Sequence, residues 1–241
     1  MAERKIPKKL TPDLLTDTIL EVKFTSIVPF EIFIGKMYNE LIGQGYNYSS
    51  PTMDALGTDD PRKQITVNLN ALQPVFKNEE VTIKLTPNSI IFNCAKGYIG
   101  WDKYFPVIKN VLSMINELDL IKVYHRIGLR YINSLQNINI YDKLIDEVRI
   151  KIADYKTRST AFLTVIEDEV FNINLKVEND VKLKDQPDSV SLLDIDVYLF
   201  NEEGIEFDQI FNLVDEAHNK EKEVFVYLLK EEFIATLNPE Y

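Results

Sequence analysis

Arginine is the side chain best suited to hold a carboxylate or a phosphate, because its planar guanidinium offers paired N–H donors in a fixed fork. In the stretch HRIGLRYIN, residues 125–133, Arg126 and Arg130 stand on either side of Gly128. The stretch has the pattern of a strand, in which side chains alternate between faces. Arg126, Gly128 and Arg130 are therefore expected on one face with Lys122 and Tyr124. Ile121, Val123, His125, Ile127, Leu129 and Tyr131 are expected on the other, which has the composition of a core face. Two arginines four residues apart lie about 13 Å from each other along a strand, with glycine leaving bare backbone between them. Such a face suits a small anionic ligand held by Arg126, Gly128, Arg130 and Tyr124, or a partner's surface. The competing use is internal: Asp194 and Asp196, in LLDIDVY, also share a face and would neutralise both arginines if their strand lay alongside.

The chain has two histidines. His218 falls on the apolar stripe of a C-terminal helix, with Asp215 and Glu221 one turn away on either side. A general base needs an orienting carboxylate and a nucleophile within reach, and no nucleophile can be named, so a packed, hydrogen-bonded histidine is the simpler expectation. His125 is expected in the core. Asp194 with Asp196 has the donor type for Mg²⁺ in a phosphodiesterase or nuclease, without the accompanying Lys or basic groove. Trp101 with Tyr98, Tyr104 and Phe105 can form a base-stacking platform, but the nearby cations are only Lys96, Lys103 and Lys109, so packing is expected. There is no glycine-rich phosphate loop, dinucleotide fingerprint or nucleophile elbow. The sequence points to no catalytic set, no metal and no cofactor.

The elements that carry these residues follow from periodicity. TDTILEVKFT alternates, with Leu20, Val22 and Phe24 inward and Glu21 and Lys23 outward. In PFEIFIGKMYNELIGQG the residues Phe30, Ile34, Met37 and Leu41 recur at helical spacing, with Pro29 at the start and Gly43 or Gly45 at the end. A loop over YSSPTMDALGTDDPRK precedes a strand in QITVNLN, and EVTIKL and SIIFNC form a hairpin across TPN. A helix begins near Gly100 with Trp101, Phe105, Ile108, Leu112 and Ile115 on one stripe. The arginine strand spans residues 120–133. A short helix in IYDKLIDEV leads to a hairpin turning at residues 167–169, whose second arm places Phe171, Ile173, Leu175 and Val177 on one face. SVSLLDIDVYLF is the last strand. After an acidic turn, NEEGIEFD, a helix runs to about Phe233 with Phe207, Phe211, Val214, His218, Phe225 and Leu229 near one face. This order predicts an α+β fold: a mainly antiparallel sheet with helices packed on one side, as one domain over 1–241. Two similar βα-containing halves, divided near 134–140, are compatible with it.

Composition narrows the class. The 241 residues are 45% hydrophobic and 27% charged, as in a folded globular chain. MAERKIPKKL lacks the apolar run of a signal peptide, and no segment offers about 18 uncharged apolar residues for a membrane span, so a cytoplasmic protein without membrane contact is expected. Cys94 is the only cysteine, expected as a buried thiol. The net charge is −11, and residues 185–241 hold 15 Asp or Glu against 3 Lys. Such a segment disfavours nucleic acid on the face it covers, and it is expected as a solvated face that keeps the chain soluble, with an electrostatically steered basic partner as the alternative. The basic arm Arg4, Lys5, Lys8 and Lys9 is expected as a flexible tail, or as a contact to an acidic surface of a neighbouring copy.

RIGLRYIN, following an aromatic-led helix (YIGWDKYFPVI) and followed at the end by LVDEAHNKEKEVFVYLLKEEF, resembles a sporadically distributed prokaryotic family of uncharacterised proteins of about this length. The resemblance spans nearly the whole chain and brings no catalytic residue with it. It implies an accessory gene product, of the kind found in phage-defence or mobile-element loci. The expected function is that of a non-catalytic binding or regulatory protein acting through protein contacts, with a homodimer as one arrangement. The alternatives are a nucleotide-like anion bound by Arg126 and Arg130, and a metal-dependent phosphodiesterase.

Overall fold

A computed structural model describes residues 4–49, 73–146, 159–182 and 188–241. Their elements are β1 (Leu15–Ser26), α1 (Phe30–Gly43), β2 (Asn47–Ser49), β3 (Val75–Lys77), β4 (Val81–Thr86), β5 (Ser89–Cys94), α2 (Trp101–Glu117), β6 (Ile121–Gln136), a 3₁₀ turn (Ile140–Asp142), β7 (Thr160–Glu167), β8 (Asn172–Lys182), β9 (Ser189–Ile205), α3 (Phe207–Leu228) and α4 (Glu231–Ala235). The strands form one nine-stranded sheet in the order β2-β3-β4-β5-β1-β6-β9-β8-β7. Pairing is antiparallel from β2 to β5 and from β7 to β9. The α+β class with a mainly antiparallel sheet and helices on one side is what the periodicities predict. The strand expected over QITVNLN lies outside the described residues; in IYDKLIDEV, described as far as residue 146, the expected helix is only the 3₁₀ turn Ile140–Asp142, because Leu144 bridges Leu229 instead.

The chain forms two compact units. One comprises residues 1–19, 127–200 and 209–241, the other residues 20–126 and 201–208. In the second, alternation puts Leu20, Val22 and Phe24 of β1 and Ile83, Leu85, Ile90 and Phe92 of β4 and β5 into the core. α1 buries Phe33, Met37 and Leu41 against this layer, with Phe33 stacked on Phe24. Each such aliphatic or aromatic side chain contributes about 1.5–3 kcal/mol on leaving water. α2 starts after Gly100, as predicted, but its buried stripe is Tyr104, Ile108, Val111, Leu112 and Ile115. Trp101 and Phe105, expected inside, stack on each other at the half-buried rim. Cys94, also expected inside, is half-buried at the end of β5.

In the first unit, Ile173, Leu175 and Val177 of β8 and Leu193, Ile195 and Val197 of β9 are buried. On α3 of the same unit the buried stripe is Ile210, Val214, Ala217, His218, Glu221 and Phe225. The hairpin turns where predicted, with Asp168 N donating to Phe171 O. Two expectations near the C-terminus fail. The long helix stops at Leu228 because Leu229 forms a strand-like bridge with Leu144, and Lys230 N donates to Lys143 O, replacing helical hydrogen bonds. The acidic turn NEEGIEFD is largely strand, since β9 continues to Ile205. There Gly204, at φ 114°, allows a close approach to Val123: a Cβ at this position would collide with the valine side chain.

Candidate functional site

β6 does not alternate uniformly. Tyr124 is buried, and so are Ile127, Leu129, Tyr131, Asn133 and Leu135, so the phase shifts by one residue between Tyr124 and Ile127. One extra residue in a strand has this effect, turning two successive side chains to the same side. The consequence corrects two expectations. Tyr124 leaves the arginine face, is 4% exposed and packs its ring against Phe207. Burial raises its phenol pKa far above the ordinary value. His125 is not a core residue: it is half-buried, and its Nε2 lies 2.9 Å from Thr25 Oγ1.

Arg126 belongs to the unit that holds Glu21, and its Nη1 donates to Glu21 Oε2 at 2.8 Å. Lys23 Nζ lies 3.7 Å from the same oxygen. Arg130 belongs to the other unit, where it forms a two-pronged pair with Asp194: Nε to Oδ1 at 2.8 Å and Nη2 to Oδ2 at 2.6 Å. The Asp194 hydrogen bond raises the Arg130 pKa above its ordinary value despite partial burial, with Asp194, Asp196 and Asp17 adding favourable charge. Asp196 accepts from Asn174 Nδ2 at 3.3 Å. Asp194 on β9 thus serves Arg130, and Glu21 on β1 serves Arg126. Gly128 is buried, so the bare backbone expected between the arginines is not open to a ligand.

Beneath α3 the same unit contains a polar group of another kind. Tyr131 Oη and His218 Nδ1 are 2.7 Å apart, with both residues buried. Burial lowers the His218 pKa to about 4, with Lys222 adding to the shift and Asp215 opposing it. Its imidazole is neutral at pH 7. One turn on, Glu221 is 1% exposed, and its carboxylate has no side-chain partner, only the backbone amides of Tyr131 and Val197 nearby. Burial pushes its pKa well above the ordinary carboxyl value. Asp196 and Asp194 raise it further, and the backbone amides of Tyr131 and Val197 only partly offset this. Glu221 is a buried carboxyl whose charged form is disfavoured where it sits. The spacing of Val214, His218, Glu221 and Phe225 along one helical stripe was the available signal for its burial; treating Glu221 as a flanking charge missed it.

Two other expectations resolve locally. The faces of the Trp101 platform meet neighbours of the same chain: Trp101 stacks on Phe105 at 4.9 Å, and Lys109 Nζ sits 4.3 Å from the Phe105 ring centre. The basic arm is docked at its described residues and is not a free tail. Arg4 Nη1 donates to the carbonyls of Val226 and Leu229 at the end of α3, where orphan acceptors attract a cation. Lys8 N donates to Glu240 O. Among the described residues no group of three His, Cys, Asp or Glu is placed to hold a metal ion, and no helix is long and apolar enough to cross a membrane. No family model matches the chain, and no curated protein matches it.

Proposed function

We propose that this chain is a non-catalytic cytoplasmic binding protein that works through protein contacts, in an accessory system of the phage-defence or mobile-element kind, with a second copy of itself among its partners. The observation that carries this reading is the pairing of both candidate arginines with carboxylates of their own units, Arg126 with Glu21 and Arg130 with Asp194. An anion entering here displaces a charge-assisted hydrogen bond from each guanidinium, so most of its binding energy is offset. Asp194, with both oxygens on Arg130, is likewise a poor metal ligand. The accessory context rests on the resemblance carried by RIGLRYIN and the C-terminal helix.

One observation favours an anionic small ligand instead: the Arg130 side chain keeps 44% of its surface accessible beside Asp194. Thermal melting in the presence of nucleoside mono-, di- and triphosphates and of inorganic phosphate separates the two. The protein-contact reading expects an unchanged Tm at saturating concentration. A rise of several degrees that Arg130→Ala abolishes transfers the site to the anionic ligand. Turnover of any phosphodiester that Arg126→Ala or His218→Ala abolishes overturns both.

A further inference from the structure

The sheet ends differently at its two margins. Among the described residues, β2 is an edge of three residues with Asn47 and Ser49 exposed, too short to template another strand. β7, at the other margin, has eight residues and pairs with β8 in unbroken register from Thr160 to Glu167. Proteins blunt exposed edges with Lys, Pro, bulges or brevity. β7 has none of these, and its one charge is Glu167. Leu163 is 69% and Val165 57% exposed on it.

The backbone of β7 is set up for a further strand. Asp168 N donates to Phe171 O, which fixes the phase of the β7–β8 ladder. By alternation, the N–H and C=O groups of Ala161, Leu163, Val165 and Glu167 point away from β8.

We infer, building on the protein-contact reading, that β7 is the seam of a homodimer, pairing antiparallel with β7 of a second copy about a two-fold axis at Thr164. About that point the central residues FLTVI set apolar side chains opposite apolar ones. Leu163 meets the second copy's Val165, Phe162 meets Ile166, and Thr164 meets Thr164; each is a favourable cross-strand combination. Glu167 faces Ala161, which leaves the two Glu167 carboxylates about 20 Å apart along the strands, beyond the screening length of about 8 Å at physiological salt. Charge also selects the occupant. A chain of net charge −11 repels its own copy over most of its surface, and a basic partner is drawn to the carboxylates concentrated elsewhere. β7 is where a second copy meets little like charge, and the dimer joins the two sheets through an isologous contact.

The test uses the full chain with Cys94, its only cysteine, replaced by alanine. Antiparallel pairs that do not exchange hydrogen bonds stand about 4.5 Å apart at Cα, within disulfide reach. Thr164→Cys should therefore give a disulfide-linked dimer on oxidation, while Ser49→Cys on the opposite edge should not. Sedimentation should show a dimer for the native sequence and a monomer for Leu163→Lys combined with Val165→Lys. Both positions are exposed, so far-UV circular dichroism should be unchanged by the lysines. A monomeric native chain overturns the proposal, as does a dimer that survives both lysines without the Thr164→Cys cross-link. A monomer that binds another protein overturns self-pairing while leaving the protein-contact reading standing; a nucleotide-induced rise in Tm removes that reading itself.

Discussion

Asp194 and Glu221 are carboxylates of the same compact unit, and the fold treats them in opposite ways. Asp194, on β9, takes both prongs of Arg130 and stays within reach of water. Glu221, on the buried stripe of α3, has no side-chain partner, and its charged form is disfavoured by burial and by the charges of Asp196 and Asp194. A charge on the sheet surface is affordable because a partner and solvent share the work of solvation. Beneath the helix neither is at hand, and the charged form is disfavoured. His218 follows the same rule, kept neutral beside Tyr131. The buried acid and histidine therefore bear on stability and its dependence on pH, while the proposed contacts rest on exposed groups.

The largest expected effect tests the buried side. Glu221→Leu removes a carboxyl that costs free energy in place, and replacing buried ionisable groups with apolar ones stabilises proteins by about 1–4 kcal/mol. Urea melts at pH 7 should show the gain; a loss of stability would mean that Glu221 has a stabilising partner. The sign with pH follows from linkage. Because folding raises the Glu221 pKa, the native chain loses stability as pH rises above about 4.5, where the unfolded carboxyl ionises and the folded one does not. The gain from Glu221→Leu should therefore grow with pH over that range. His218 acts on the other limb: its pKa falls from 6.5 to about 4 on folding, so its contribution is whole above pH 6.5 and is lost as pH falls towards 4.

Tyr131→Phe should cost about 1–3 kcal/mol, because it strips His218 Nδ1 of its buried hydroxyl partner. Equilibrium unfolding at pH 7 measures it, and an unchanged midpoint would show that the contact contributes nothing. On the open side, Arg130→Ala should cost about 1 kcal/mol, the value of a charge-assisted pair discounted for the exposure of the arginine. Arg126→Ala should cost a similar amount, about 1 kcal/mol, since the arginine is less exposed but Glu21 keeps Lys23 nearby. A clear gap between the two in paired unfolding curves would mark one carboxylate as the stronger anchor.

The route from sequence to fold was short wherever local periodicity decides. The buried row Ile173, Leu175 and Val177, the hairpin before it, and the start of α2 after Gly100 can all be read from two- and 3.6-residue repeats. The candidate site was half legible. That Asp194 shares a face with Asp196 is a property of one strand; that it meets Arg130 follows only once β6 and β9 are neighbours in the sheet order. Glu21 as the partner of Arg126 required β1 on the other side of β6, which no repeat in either segment specifies. The phase shift that buries Tyr124 and turns out His125 is invisible to a pattern that assumes strict alternation, because an inserted residue in a ladder is defined by the strands it faces.

By itself, then, the sequence determined which residues alternate, where helices begin, that charge gathers in the last quarter of the chain, and that TAFLTVIE is short of charge. These are consequences of neighbours within a few bonds or one helical turn. The tertiary structure alone decided that both arginines are already paired, that Glu221 lies beneath α3 without a side-chain partner, and that β7 stands at the margin of the described sheet. Pairing and burial join residues far apart in the chain, and their energy depends on which surfaces meet.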